Sequence, residues 1–80
     1  MKADSTEYKH LLGKAHDAKR GGRDAWAVQS IGEKVAVAIV LNQADWLASI
    51  NYTLAEAIDR TGTEWLSLVP QVERALREEP

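Results

Sequence analysis

Residues Glu33 to Trp46 read EKVAVAIVLNQADW, and how this stretch folds decides the architecture of the chain. Val35 to Leu41 is apolar without a break. Such a run suits a buried strand or a buried helix, and periodicity alone does not separate them. Ala36 and Ala38 favour a helix, because Ala has the highest helix propensity and is depleted in strands. Val35, Val37, Ile39 and Val40 favour a strand, since β-branched side chains fit a pleated surface. Upstream, Trp26, Ala27, Ile31, Val35, Ala38 and Ile39 follow three-four spacing. The pattern therefore extends over Asp24 to Leu41, longer than most strands, and predicts a central helix with neighbours on all sides. Gly32 inside it marks a break or a close helix crossing. The competing arrangement is a hairpin, with Trp26 to Ser30 paired to Val35 to Val40. Glu33 and Lys34 interrupt the run, which falls short of the about 20 apolar residues of a membrane span.

Working outward, the upstream segment opens with Asp4-Ser5-Thr6-Glu7, where Asp4 and Glu7 have capping-box spacing. Tyr8, Leu11, Leu12, Ala15 and Ala18 then share one face, predicting a first helix over Ser5 to Arg20 that stops at Gly21-Gly22. Asp24 is the expected cap of the second helix. Downstream, Asn42 is expected to end or bend the long helix, and Asn51-Tyr52-Thr53 is a break. Thr53 and Glu56 form a T-x-x-E capping box, opening a helix that Gly62 stops. Thr63 is the expected cap of the last helix. Pro70 lies too deep in it for an unbroken run, so the helix kinks there or splits into residues 63–68 and 69–78. The fold expected is all-α, a compact bundle of four to five helices around a central apolar helix, forming one domain over residues 1–80.

Composition narrows the function. The chain has no Cys, which removes disulfides and thiolate metal sites and fits a cytoplasmic protein. Its start lacks the apolar segment of a signal peptide. The net charge of -2 divides unevenly. Residues 1–40 hold seven Lys/Arg and five Asp/Glu, whereas residues 41–80 hold three Lys/Arg and seven Asp/Glu. An acidic second half argues against the whole chain lying on nucleic acid, which needs a concentrated basic face.

No motif assembles a catalytic, cofactor or metal site, and the expectation is a protein that is not an enzyme and carries no cofactor. His10 and His16 are six residues apart, about 240° around a helix, and face no common metal. The serines lack a nucleophile-elbow context. Glu56 and Asp59 lie one turn apart, with Asp45 and Glu64 expected near them, and capping and solubility explain these carboxylates better than acid–base work. Thr53 to Leu76 resembles a helix-turn-helix in outline. Its second helix opens with Glu64, Trp65 and Leu66, residues that repel phosphate or bury, so a plain αα-hairpin is preferred. The one basic cluster is Lys14, Lys19, Arg20 and Arg23, with His16 beside it. Trp26, Trp46 and Trp65 each sit in an apolar helical pattern and are expected in the core.

At Glu33 to Leu47 (EKVAVAIVLNQADWL) and Glu64 to Val72 (EWLSLVPQV) the chain resembles small proteins carried by bacterial phages and mobile elements. That resemblance covers under half the chain and carries over no functional residue. Among such proteins are anti-CRISPR inhibitors, which are compact and acidic and block a host machine by binding it. The resemblance implies a protein-binding module whose partner is a host protein or complex. Its acidic residues Asp45, Glu56, Asp59 and Glu64 would stand where phosphates otherwise lie. Two other readings remain: a small DNA-binding transcriptional regulator using Lys14, Lys19, Arg20 and Arg23, and a structural homodimer.

Overall fold

A computed structural model describes residues 6–78, and among these every regular element is a helix. The helices are α1 (Thr6–Ala27), α2 (Ile31–Val40), α3 (Ala44–Ser49), α4 (Leu54–Leu66) and α5 (Val69–Arg77). The expected Asp4–Glu7 cap involves residues outside the described ones.

The decisive stretch is helical, so the hairpin is overturned. Val35, Ala36, Val37, Ala38 and Val40 are all buried, and α2 packs against each of the other four helices. Burial on nearly every side accommodates both the alanines and the β-branched residues. Local β-propensity, worth at most about 1 kcal/mol in a host protein, yields to it.

The boundary of that helix differs from the expected one. Asp24 to Ala27 belongs to α1, the chain breaks at Val28 to Ser30, and α2 starts at Ile31. A capping box causes this. The Glu33 backbone N–H donates to Ser30 Oγ at 3.3 Å, and the Ser30 N–H donates to Glu33 Oε1 at 3.1 Å. Two of the donors that a helix start leaves open are thereby satisfied. Gly32, two residues past Ser30, is inside the helix and breaks nothing. A Cβ there would meet the Arg60 guanidinium at 3.7 Å, so α4 approaches α2 at this point.

Both expected glycine stops interrupt a helix. At Gly22 (φ 73°) and Gly62 (φ 84°) the backbone leaves the helical path, and a second helical limb follows each. α1 and α4 are therefore each two limbs joined at a kink. The limb after Gly22 carries Trp26 into the core, where it is 1% exposed. The limb after Gly62 is a second helical piece that holds Thr63, Glu64 and Trp65 and ends at Leu66, so the expected last helix is divided. The split comes at Ser67 and Leu68, and Pro70 occupies the first turn of α5, where an absent N–H costs no hydrogen bond.

Asn42 (φ 61°) and Asn51 (φ 65°) end α2 and α3 in the left-handed region. After α2, Gln43 N–H reaches Ala38 O at 2.8 Å and Asn42 N–H reaches Ile39 O at 3.1 Å. After α3, Tyr52 N–H reaches Leu47 O at 2.9 Å and Asn51 N–H reaches Ala48 O at 3.0 Å. Both are Schellman closures with Asn in place of the usual Gly.

Leu11, Ala15 and Ala18 of α1, Leu47 of α3, Ala57 of α4 and Val72 and Leu76 of α5 share the core with the buried residues of α2. Trp26 lies against Trp46, with ring centroids 5.0 Å apart, and its Nε1–H donates to Lys34 O at 2.7 Å. Trp46 and Trp65 are only half-buried, short of the expectation that placed all three tryptophans in the core. Thr53 to Leu76 is not a packed αα-hairpin either. α4 lies on α1, α2 and α3, and α5 lies on α1 and α2.

Candidate functional site

The four expected contact carboxylates are all exposed, on α3 and α4. Asp45 stands in the first turn of α3, which packs on α4. Glu56 has a structural duty: its Oε1 accepts the Thr53 N–H at 2.9 Å, while its own N–H donates to Thr53 Oγ1 at 3.1 Å. The capping box expected at Thr53–Glu56 is therefore formed. Asp45, Asp59 and Glu64 form no side-chain hydrogen bond or ion pair with any described residue.

The structure brings some of these groups together and leaves others apart. Glu56 and Asp59 share a hollow of about 480 Å³ with Asn51, Tyr52, Ala55 and Arg60. Glu64 lines a second hollow of about 520 Å³, with His10, Glu33 and Trp65 on its walls. Arg60 lines both, placing a cation within the acidic region.

The basic set is partly engaged within the fold. Lys14 Nζ is 4.0 Å from Glu33 Oε1. Lys19 Nζ donates to the Leu76 carbonyl at 2.5 Å, tying α1 to the last turn of α5. Arg20 lines a hollow with Lys14, Asp17 and Glu33, and Arg23 is exposed just past the Gly22 kink.

A contact that the sequence did not reveal is centred on His10. Its Nε2 lies 2.7 Å from Glu33 Oε2. A carboxylate only accepts, so Nε2 carries the proton. The ring also meets Trp65, with centroids 5.6 Å apart at an angle of 44°. Side chains from α1, α2 and α4 thus converge, although His10 and Glu33 are 23 residues apart in the chain.

Glu33 is the hub of this joint. Burial pushes its pKa up, but hydrogen bonds from His10 and from the Ser30 backbone and side chain, with the charge of Lys14, outweigh that effect. The net result holds the carboxyl below its ordinary value of 4.5. Both oxygens are occupied, Oε1 by Ser30 and Lys14 and Oε2 by His10. The S-x-x-E spacing of Ser30 and Glu33 was the one local signal that could have found this hub.

Among the described residues no three His, Asp or Glu side chains gather in a way that could hold a metal ion. No helix among them is long and apolar enough to cross a membrane. Comparison with family models, with curated proteins and with solved structures finds no match for this chain.

Proposed function

We propose that this chain is a non-enzymatic, cytoplasmic protein-binding module. In this reading its acidic face, Asp45, Glu56, Asp59 and Glu64, occupies a basic site on a host protein or complex that otherwise handles nucleic acid. It acts as an inhibitor of the kind phages and mobile elements encode, in the manner of anti-CRISPR proteins. α2 is the central helix that holds α3 and α4 in place behind that face.

One observation carries the proposal: carboxylates on α3 and α4 are left unpaired while cations of the basic cluster are drawn into the fold. Asp45, Asp59 and Glu64 have no side-chain partner among the described residues, whereas Lys14 approaches Glu33 and Lys19 holds the end of α5. Charges already engaged in intramolecular contacts are poorly placed to hold phosphates, which weighs against the regulator reading. Exposed charges of one sign steer and orient a complementary partner.

The test is affinity purification of the tagged chain from bacterial lysate, with and without nuclease, followed by mass spectrometry. A stoichiometric protein partner that survives nuclease is expected. Its binding should weaken with salt and on combining Asp45→Lys, Asp59→Lys and Glu64→Lys. Recovery of nucleic acid alone, or unchanged affinity in the charge-reversed variant, would overturn the proposal.

A further inference from the structure

α4 presents more than carboxylates. Leu54 is 60% exposed and Ile58 44% exposed, although Ala57, on the same helix, is fully buried. At 3.6 residues per turn, Leu54 and Ile58 lie about 60° and about 100° to one side of Ala57, and Ala55 about 160° to that side. Asp59 and Glu56 follow at about 200° and about 260°. Going around α4, an apolar arc therefore passes directly into an acidic one. The hollow lined by Tyr52, Ala55, Glu56, Asp59 and Arg60 begins where the two arcs meet and runs along the acidic one.

An exposed apolar pair one turn apart is the pattern by which helices grip a partner's apolar stripe. Beside it, two carboxylates offer a long cationic side chain its counter-charge, in a hollow that Tyr52 also lines. From this placement we infer that α4 is the docking element and that its partner presents an amphipathic basic segment. In that complex, apolar residues of the partner rest on Leu54 and Ile58, and its Lys or Arg side chains enter the hollow beside Glu56 and Asp59. Charge complementarity fixes the occupant: with Arg60 the sole cation on α4, the surface selects a basic segment and repels an acidic one. The inference rests on the protein-binding reading and names the partner's chemistry.

The test uses the full chain and an amidated, dye-labelled peptide of about 14 residues, with Leu at three- and four-residue spacing and Lys elsewhere. Binding is read by fluorescence anisotropy, and folding of each variant by circular dichroism. Leu54→Ala with Ile58→Ala should weaken binding about tenfold. Asp59→Asn should weaken it about threefold at low salt and less at high salt. Arg60→Gln should tighten it about threefold by the same argument, and Asp24→Asn on α1 should change nothing.

If the apolar double variant binds like the original chain while Asp59→Asn still weakens binding, the docking inference fails and the acidic-face reading survives. If Asp24→Asn weakens binding as much as Asp59→Asn does, the attraction is diffuse and both fail. A dimer in sedimentation equilibrium that the apolar double variant abolishes would assign this surface to a second copy and overturn the basic partner.

Discussion

The corner between α1 and α2 and the corner between α3 and α4 use one device and put it to different ends. Each opens a helix with a hydroxyl cap and a glutamate three residues on, Ser30 with Glu33 and Thr53 with Glu56. Glu33 is half-buried and is also held by His10 and Lys14. Glu56 is exposed and forms the cap alone, beside the unpaired Asp59. A capping box is thus a local instruction to start a helix. What packs against it decides whether the carboxylate becomes a joint of the fold or part of a surface open to a partner.

The largest break in the first corner comes from Trp26→Ala. Trp26 fills the core just before the corner and donates across it to Lys34 O. The cost should be about 3–5 kcal/mol, enough to unfold much of a domain this small at ambient temperature. Urea denaturation followed by circular dichroism measures it.

Removing the two glutamates sharpens the contrast. Glu33→Ala leaves the Ser30 N–H without its carboxylate acceptor and strands His10, and should cost about 2 kcal/mol. Glu56→Ala removes only the acceptor of the Thr53 N–H and should cost about 1 kcal/mol. Equal urea midpoints for the two variants would show that the His10 joint adds nothing.

Acid should test the first corner as well. A carboxyl held below its ordinary value stabilises the fold above that value, and the contribution is lost as pH falls through the lowered one. The window therefore opens near pH 4.5 and extends downward. Between pH 6 and pH 3 the original chain should lose stability faster than Glu33→Gln. Parallel curves for the two chains would remove the joint as the acid-sensitive element.

The smallest effect lies outside both corners. Gly13 sits in the regular part of α1 and is exposed, and beyond its chain neighbours and its own helical backbone a Cβ there would meet no heavy atom within 4 Å. Gly13→Ala should raise stability by about 0.5–1 kcal/mol through the unfolded chain's lost freedom. Its gain should be the same in the Glu33→Ala and Glu56→Ala backgrounds, because the sites share no contact.

Local chemistry made much of this legible from residues alone. The apolar faces of α1 and α2, the Thr53–Glu56 box and the disruption at Asn42, Asn51, Gly22 and Gly62 all follow from side-chain type at short range. The boundary at Ser30 was hidden because Trp26, Ala27, Ile31 and Val35 keep three-four spacing straight across it, so one apolar rhythm spans two helices. The His10–Glu33 contact and the Lys19 hold on Leu76 link residues 23 and 57 positions apart, and no local pattern encodes them. The expected acidic residues were visible as charges. That Arg60 lines the hollows on both sides, and that Leu54 and Ile58 stay uncovered, depends on how α4 lands on α2.

The closure of α5 on α1 has a consequence for biosynthesis. Val72 and Leu76 are buried against a core begun by Leu11 and Ala15, so the first and last helices seal the same interior. A nascent chain emerges from its amino end and meets this requirement last. Until the final helix clears the ribosome, the apolar surface of α1 and α2 has no lid. Every premature stop before Leu76 yields a product with an open core, a natural substrate for cellular quality control.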